Sequence, residues 1–269
     1  MTVRGLARAL LPPVVVDLLA RPGRNAWTGD YRTWAEAAAD STGYDAQLIL
    51  DRIEAAALQV KRGEAAYERD GVLFDEIEYS WPLLAGLLSA AARDGGRLEV
   101  VDFGGALGTT YFQNRAFLST LPEVRWNVVE QPHFIARGRA GFQDDRLRFH
   151  DSIDACLAEG RPNVLVLSSV LQYLERPYEL LAGARRFPSV IVDLTPVHGG
   201  DRDRLTVQRV PPSIYPARYP CWLFSEGRLL AALRESFRLV AAFDCTLGRE
   251  LRVDTLHARY RGYLLDRAG

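Results

Sequence analysis

From Leu98 onward, short runs of β-branched and other apolar residues alternate with stretches of helical periodicity. The apolar runs read RLEVVDFG, RWNVVEQ, RLRFHDS, NVLVLSSV and SVIVDLTP. This alternation is typical of βαβ units, because a crossover between parallel strands needs a helix-length connection. The pattern predicts an α/β fold with a mostly parallel sheet in a domain spanning residues 96–269.

Residues 1–95 have a different character. In TWAEAAADS, YDAQLILDRIEAAALQVKRGEAAY and WPLLAGLLSAAARD, the Ala, Leu and Ile residues recur at spacings of three and four, which predicts a helical N-terminal cap region. Trp27, Tyr31 and Trp34 fit one helical face and are expected in the core rather than around a ligand. The first 24 residues are expected to form an amphipathic helix, because Pro12, Pro13 and Asp17 interrupt the apolar patch that a signal peptide would need.

The chain ends with a predicted helix from about Glu226 to Glu235 and two strands, RLVAAFDCT and ARYRGYLLD. The connector between these strands is too short for a crossover helix, so we expect them to pair antiparallel. Residues 197–222 are polar, proline-punctuated and without clear period. They are predicted to form a lid or substrate loop at the carboxyl edge of the sheet.

Composition narrows the function classes. With 269 residues and 48% hydrophobic content, the chain can bury a full core. A net charge of −1 argues against a general nucleic-acid binder. Three dispersed cysteines without a Cys-x-x-Cys pair indicate neither a disulfide framework nor a zinc site. No segment has the length of apolar sequence that a membrane span needs, and a cytoplasmic location is expected.

One glycine-rich stretch carries the strongest functional signal. Gly104, Gly105 and Gly108 follow the first predicted strand, where a backbone without side chains can approach a ligand at a helix N-terminus. Asp102 precedes the glycines by two residues and would lie poorly against a pyrophosphate. It suits a ligand with an ammonium group and no phosphate, such as an amino-acid nucleoside.

Several motifs carry a family resemblance along nearly the whole chain: WTGDYRTW, YERDGVLF, DFGGALGTTYFQN, VVEQPHF, LSSVLQYLERP and SIYPARYPCWLFS. Together they resemble class I S-adenosylmethionine-dependent methyltransferases, and more narrowly a bacterial methyltransferase family met among cell-surface polysaccharide genes. The resemblance implies a Rossmann-like seven-stranded sheet whose last strand is antiparallel. It also implies S-adenosyl-L-methionine as cofactor, a small-molecule acceptor and no metal.

The resemblance assigns positions to the cofactor. Glu130 falls where the family's ribose-binding acid ends the second strand, and Asp151 matches the residue at the adenine edge. Arg69, between two acids, is either part of a solvated face or a partner of the cofactor carboxylate. The residues predicted to bind the cofactor are Asp102, Gly104, Gly105, Gly108, Glu130, Gln131, Asp151, Ser152, Ser168 and Arg69.

Two residues depart from the family pattern. Ala106 replaces the middle glycine of the first motif, so the loop is expected to bend there without a positive φ. Leu194 stands where an arginine is expected in close relatives, which places an acceptor contact at that point in doubt.

Methyl transfer to oxygen or nitrogen invites a general base near the methyl group. The candidates for a catalytic role are Tyr173, His133 and Asp193. Tyr173 either approaches the sulfonium or packs under a helix, and His133 is either a base or a helix-start residue near the adenosine. Ser168 and Gln172 either contact a ligand or are solvated. The residues predicted to bind the acceptor are Tyr111, Gln113, Asn114, Gln172, Tyr215, Arg218 and Tyr219.

The function that the sequence predicts is methyl transfer to a sugar, a polysaccharide precursor or a natural-product intermediate. A non-catalytic cofactor-binding partner subunit is the first alternative. A nicotinamide-dependent oxidoreductase is a second alternative. It is disfavoured because the glycines are not in the Gly-x-Gly-x-x-Gly order of a dinucleotide site and because Asp102 would lie poorly against a pyrophosphate.

Overall fold

A computed structural model of the chain describes residues 27–41, 46–210, 217–245 and 250–268. The amphipathic helix expected before residue 25 lies outside these residues. In the part that is described, no helix combines the length and apolar character needed to cross a membrane. The three cysteines are buried free thiols.

The N-terminal region is less helical than the sequence predicts. It contains β1 (Trp27–Tyr31), α1 (Trp34–Ala39), α2 (Ala46–Arg62), β2 (Tyr67–Arg69), β3 (Val72–Phe74) and α3 (Trp81–Arg93). The helical face expected for Trp27, Tyr31 and Trp34 is wrong, because the first two residues lie in a strand and Trp34 begins α1. Gly29, at φ 88°, interrupts any helical path there.

Five parallel strands and their crossover helices form the centre of the molecule. They are β4 (Arg97–Phe103), α4 (Thr109–Leu118), β5 (Glu123–Val129), α5 (Pro132–Gly141), β6 (Leu147–His150), α6 (Ile153–Glu159), β7 (Val164–Ser168), α7 (Pro177–Gly183) and β8 (Ser189–His198). The strands lie in the order β6-β5-β4-β7-β8. The chain reverses direction across the sheet between β4 and β7, and in open α/β sheets ligands bind at such a switch point.

Residues 197–222 are not the irregular loop that the sequence predicts. After the end of β8 they form β9 (Arg204–Val210) and β10 (Ala217–Ser225), an antiparallel pair that continues into α8 (Glu226–Arg234). β1 adds to the free edge of β9, with Trp27 opposite Gln208. Leu205 and Val207 pack against Ala37 of α1, so one face of the hairpin is buried by the N-terminal region.

The chain closes with β11 (Phe237–Asp244), β12 (Leu251–Val253) and β13 (Leu256–Arg267). β13 lies between β8 and β11 and is antiparallel to both. The predicted Rossmann-like sheet with an antiparallel last strand is therefore confirmed.

Helices cover both faces of the central sheet. Adjacent residues of β4 belong to opposite layers, because Val100 packs into one hydrophobic cluster and Val101 into the other. Burial on both faces explains why the central strands read as near-continuous apolar runs. It also leaves the carboxyl edge of the strands as the place where polar side chains collect.

Candidate functional site

A cavity of about 730 Å³ lies at the carboxyl edge of the parallel strands. The predicted site residues that line it are Arg69, Asp102, Gly104, Gly105, Gln113, Glu130, Gln131, Asp151, Ser168, Tyr173, Asp193 and Tyr219. Those that do not are Gly108, Tyr111, Asn114, His133, Ser152, Gln172 and Arg218. Tyr215 lies outside the described residues.

The glycine-rich loop leaves β4 through a series of left-handed residues. Gly104 has φ 77° and Gly108 has φ 94°. Ala106 has φ 50°, so the expectation that the loop bends there without a positive φ is wrong. The backbone N–H of Ala106 donates to Oε1 of Glu130 at 3.3 Å, and this contact helps to hold a conformation that alanine ordinarily avoids.

Gly105 makes room for a carboxyl group of the protein itself. A Cβ atom built at Gly105 would lie 2.5 Å from Oδ2 and 2.6 Å from Cγ of Asp102. Trp126 Nε1 donates to the same Oδ2 at 3.0 Å. Burial raises the pKa of Asp102 to about 7, although the indole hydrogen bond opposes this shift. At Gly104, a Cβ would meet Val170 at 2.5 Å, so packing as well as ligand approach requires this glycine.

Glu130 is fixed at the end of β5. Besides the bond from Ala106, its Oε2 accepts the backbone N–H of Gln131 at 2.7 Å. Burial raises the pKa of this carboxyl, and the two backbone donors oppose the rise. The carboxylate is thus held by main-chain groups, which leaves its remaining lone pairs for a ligand that carries hydroxyl groups.

The end of β6 presents a third acid to the cavity. Asp151 lines it and pairs with Arg139 at 3.3 Å in an exposed contact. The next residue, Ser152, serves as the N-cap of α6, its Oγ accepting from Ala155 N at 3.1 Å. Three successive strands therefore end in an acid on one cavity, while Ser152 has a structural role in the helix.

The hairpin formed by β2 and β3 brings charged residues close to the glycine-rich loop after β4. Its tight turn is Asp70-Gly71, with φ 53° and 74°. Buried Glu68 accepts hydrogen bonds from the Thr109 hydroxyl and from Gly71 N, which ties the hairpin to the first turn of α4. Arg69 and Asp70 consequently line the cavity, and Arg69 lies over the Phe74 ring, 5.4 Å from its centroid.

Two residues have left-handed backbone here: Ser169 (φ 53°), directly after β7, and Leu194 (φ 49°), within the neighbouring strand β8. Gln172 connects them, its Nε2 donating to Ser169 Oγ at 3.2 Å and to the Leu194 carbonyl at 3.3 Å. Gln172 is fully buried behind the lining and its Oε1 has no partner. Strained backbone of this kind is often found at ligand sites.

Asp193 closes the floor of the cavity beside these residues. Its Oδ1 accepts from Leu194 N at 2.9 Å and from the Cys245 thiol at 3.1 Å. Burial raises the pKa of Asp193 and of Cys245. The thiol remains protonated because a thiolate would be buried beside a carboxyl group.

Tyr173 lies in the turn after β7 and contacts residues of β9 and β10. Its hydroxyl donates to Gln208 Oε1 at 3.0 Å, and its ring meets that of Tyr219 edge to face at 5.2 Å. Burial raises the pKa of Tyr173 well above 10, so the phenol is neutral at physiological pH. A neutral phenol positions a ligand but does not accept a proton from it.

Several predicted site residues have other surroundings. Tyr111 packs on Trp126 in the core, and Asn114 donates to the Thr110 carbonyl within α4. His133 lies against the Phe134 ring, outside the lining. Arg218 pairs with Asp40 at 3.0 Å and does not line the cavity.

Some lining residues were absent from the sequence prediction. Trp34, Asp70 and Gln208 are the main ones. The Asp-Gly pair in YERDGVLF is a strong hairpin signal and points to Asp70, but no local pattern indicates Trp34 or Gln208. Within the described ranges, no three His, Cys, Asp or Glu side chains are grouped to hold a metal ion.

Comparisons with known proteins give structural likenesses only, since no family model and no curated protein matches the chain. The N-terminal domain of EvdMO1, solved in the presence of SAH and D-fucose, is 14% identical with a TM-score of 0.47 and covers 85% of this chain and 100% of its own. The glycopeptide N-methyltransferase MtfA complexed with sinefungin is 15% identical with a TM-score of 0.43, and the match covers 68% of this chain and 94% of MtfA. The mitomycin 7-O-methyltransferase MmcR is 19% identical with a TM-score of 0.38, and the match covers 68% of this chain and 53% of MmcR.

Proposed function

We propose that this chain is an S-adenosylmethionine-dependent methyltransferase that acts on a small molecule. One observation carries the proposal: acids at the ends of three successive strands, Asp102, Glu130 and Asp151, line a single cavity at the switch point of the sheet. S-adenosylmethionine has an ammonium group, ribose hydroxyls and an adenine amine to meet three such acids in turn. When bound, it supplies a methyl group on a positively charged sulfur.

The charge of the lining supports this cofactor over a dinucleotide. Arg69 is the one basic residue among the described lining residues, and Asp102 and Glu130 flank the glycine-rich loop. A pyrophosphate at that loop would face two carboxyl groups, and like charges at close range are unfavourable. A cationic nucleoside would face none of this repulsion, and Arg69 is available for its carboxylate.

The protein's own residues divide the work of the reaction. The β4, β5 and β6 ends hold the donor, while Tyr173, Gln208 and Tyr219 form the wall where an acceptor would lie. Holding both reactants in line supplies most of the rate gain in a displacement of this kind. The finer proposal for the acceptor is a polysaccharide precursor or a natural-product intermediate.

Calorimetric titration with S-adenosylhomocysteine and with NAD tests the proposal. We expect S-adenosylhomocysteine to bind and NAD to give no heat, and the reverse result would reject it. Glu130→Ala should weaken the binding, whereas Glu123→Ala should not, because Glu123 is exposed at the opposite end of β5. Release of S-adenosylhomocysteine in a metabolite screen then separates an enzyme from a non-catalytic binding subunit.

A further inference from the structure

The cavity lining is strongly acidic. Among the described lining residues, one side chain is basic, Arg69, and five are acidic: Asp70, Asp102, Glu130, Asp151 and Asp193. Three of the acids lie at the ends of β4, β5 and β6, in the part of the cavity proposed for the cofactor. Asp70 and Asp193 remain for the acceptor part, beside the rings of Trp34, Tyr173 and Tyr219.

Asp70 lines the cavity without a hydrogen-bond or ion-pair partner among the residues that the structure describes. It occupies the first position of the hairpin turn, and its carboxyl makes no hydrogen bond or ion pair with any described residue. Asp70 is an exposed residue on the cavity, where the surrounding protein raises the pKa of its carboxyl and the charge of the neighbouring Arg69 opposes that rise. The negative charge of Asp70 also reaches Tyr173 and Tyr260, whose pKa values it helps to raise.

The bases available in the cavity favour one kind of nucleophile. No histidine or lysine occurs among the described lining residues, and Tyr173 is a neutral phenol. An alcohol is a very weak acid and needs a strong base as it attacks, so carboxylates serve it poorly. An ammonium group is a much stronger acid, and the amine that remains after one proton is lost is itself a good nucleophile.

We infer that the acceptor is an amine, whose ammonium group Asp70 binds and whose proton the Asp70 carboxylate accepts. This inference rests on the proposed function. The proton would move from the nitrogen to the Asp70 carboxylate, and the lone pair left on nitrogen would bond to the methyl carbon. The methyl–sulfur bond would break at the same time, and its electron pair would stay on sulfur in the leaving S-adenosylhomocysteine. The rings of Tyr173 and Tyr219 meet in the lining of the same cavity and would favour a cation over a neutral group there. The same charges disfavour a phosphorylated or carboxylated acceptor.

Two pairs of probes that differ only by NH₂ and OH test the inference. Tyramine and its hydroxyl analogue tyrosol form one pair, and D-glucosamine and D-glucose form the other. Each is titrated into protein saturated with S-adenosylhomocysteine. At least one amine should bind about 10- to 100-fold more tightly than its hydroxyl partner, the range expected for a charged hydrogen bond. D-glucosamine 6-phosphate should bind more weakly than D-glucosamine.

Asp70→Asn is the decisive variant, because asparagine tolerates positive φ and is favoured in this type of turn. It should abolish the amine preference while S-adenosylhomocysteine affinity and the far-UV circular dichroism stay unchanged. Asp75→Asn, an exposed residue outside the lining, is the matched control and should keep the preference.

Equal or undetectable binding of both members in both pairs overturns the inference, as does an amine preference that survives Asp70→Asn. Wild-type affinity for S-adenosylhomocysteine is measured first. If that affinity is absent, the proposed function fails. If it is present without an amine preference, only the inference about the acceptor fails.

Discussion

Substitution of Gly105 by alanine tests whether the glycine-rich loop is shaped by the protein's own carboxyl group. The added Cβ would lie 2.5 Å from Asp102 Oδ2, nearly 1 Å inside the ordinary contact range that begins at 3.4 Å. Asp102 cannot retreat, because it is 1% exposed and bonded to Trp126. Overpacking at such a site costs about 1–3 kcal/mol of unfolding free energy.

The same substitution in an Asp102→Ala background isolates the clash. Asp102→Ala alone should cost about 1–3 kcal/mol, because the Trp126 indole N–H loses its acceptor. With the carboxyl gone, Gly105→Ala should cost nothing further, or even add about 0.4–1 kcal/mol, since φ at Gly105 is not positive. The coupling between the two sites is then about 1–3 kcal/mol or slightly more.

Urea unfolding followed by far-UV circular dichroism, without cofactor, gives the four free energies. Gly183→Ala at the end of α7 is the control, because a Cβ there meets nothing within 4 Å. It should be neutral or stabilising. If Gly105→Ala costs the same with and without the Asp102 carboxyl, the reasoning about this contact is refuted.

Three further outcomes follow from the site. Glu130→Ala should raise the Kd for S-adenosylhomocysteine by a factor of about 10–100, the loss of charge-assisted hydrogen bonds, and an unchanged Kd in a folded variant would remove Glu130 from the binding site. Tyr219→Phe should lower turnover with the true acceptor and leave cofactor affinity unchanged. Arg218→Ala should affect neither quantity, because Arg218 pairs with Asp40 and does not line the cavity. Equal effects of the two substitutions would mean that Tyr219 of β10 does not contact the acceptor. Burial raises the pKa of Glu68 from 4.5 to about 7, so its contribution to stability is full below about pH 4.5 and is lost as the pH rises towards 7. Glu68→Gln should therefore lose less unfolding free energy than the wild type between about pH 5 and pH 8 in urea titrations, and parallel curves would contradict the raised pKa.

The sequence predicted the centre of the fold because its strands are buried on both faces and are joined by helices next to them in the chain. It did not predict β1, β9 or β10. These strands are short or polar on one face. Trp27 pairs with Gln208, which is distant in the sequence, so no local pattern indicates this pairing. β2 and β3 were missed too, although the Asp70-Gly71 turn between them was readable.

The same distinction holds for the candidate site. Acids that end parallel strands necessarily meet at one edge, so the positions of Asp102, Glu130 and Asp151 followed from their places in the chain. On α4 the outcome depended on how the helix is rotated about its axis. Gln113 lines the cavity while its neighbour Asn114 lies within the protein, and the composition of the helix does not distinguish them.

The pairing of β1 with β9 has a consequence for the order in which the molecule assembles. Tyr31 pairs with Leu205, and the neighbouring Asp30 bonds to Arg202. β1 therefore cannot pair until residues about 170 positions further along the chain have been synthesised. Contacts between such distant parts of a chain pay a large loop-closure entropy and form late. On a translating ribosome, β4 to β8 can form a sheet before β9 and β10 have been synthesised. The part of the cavity wall that β9 and β10 contribute is therefore completed after the part at the ends of β4, β5 and β6.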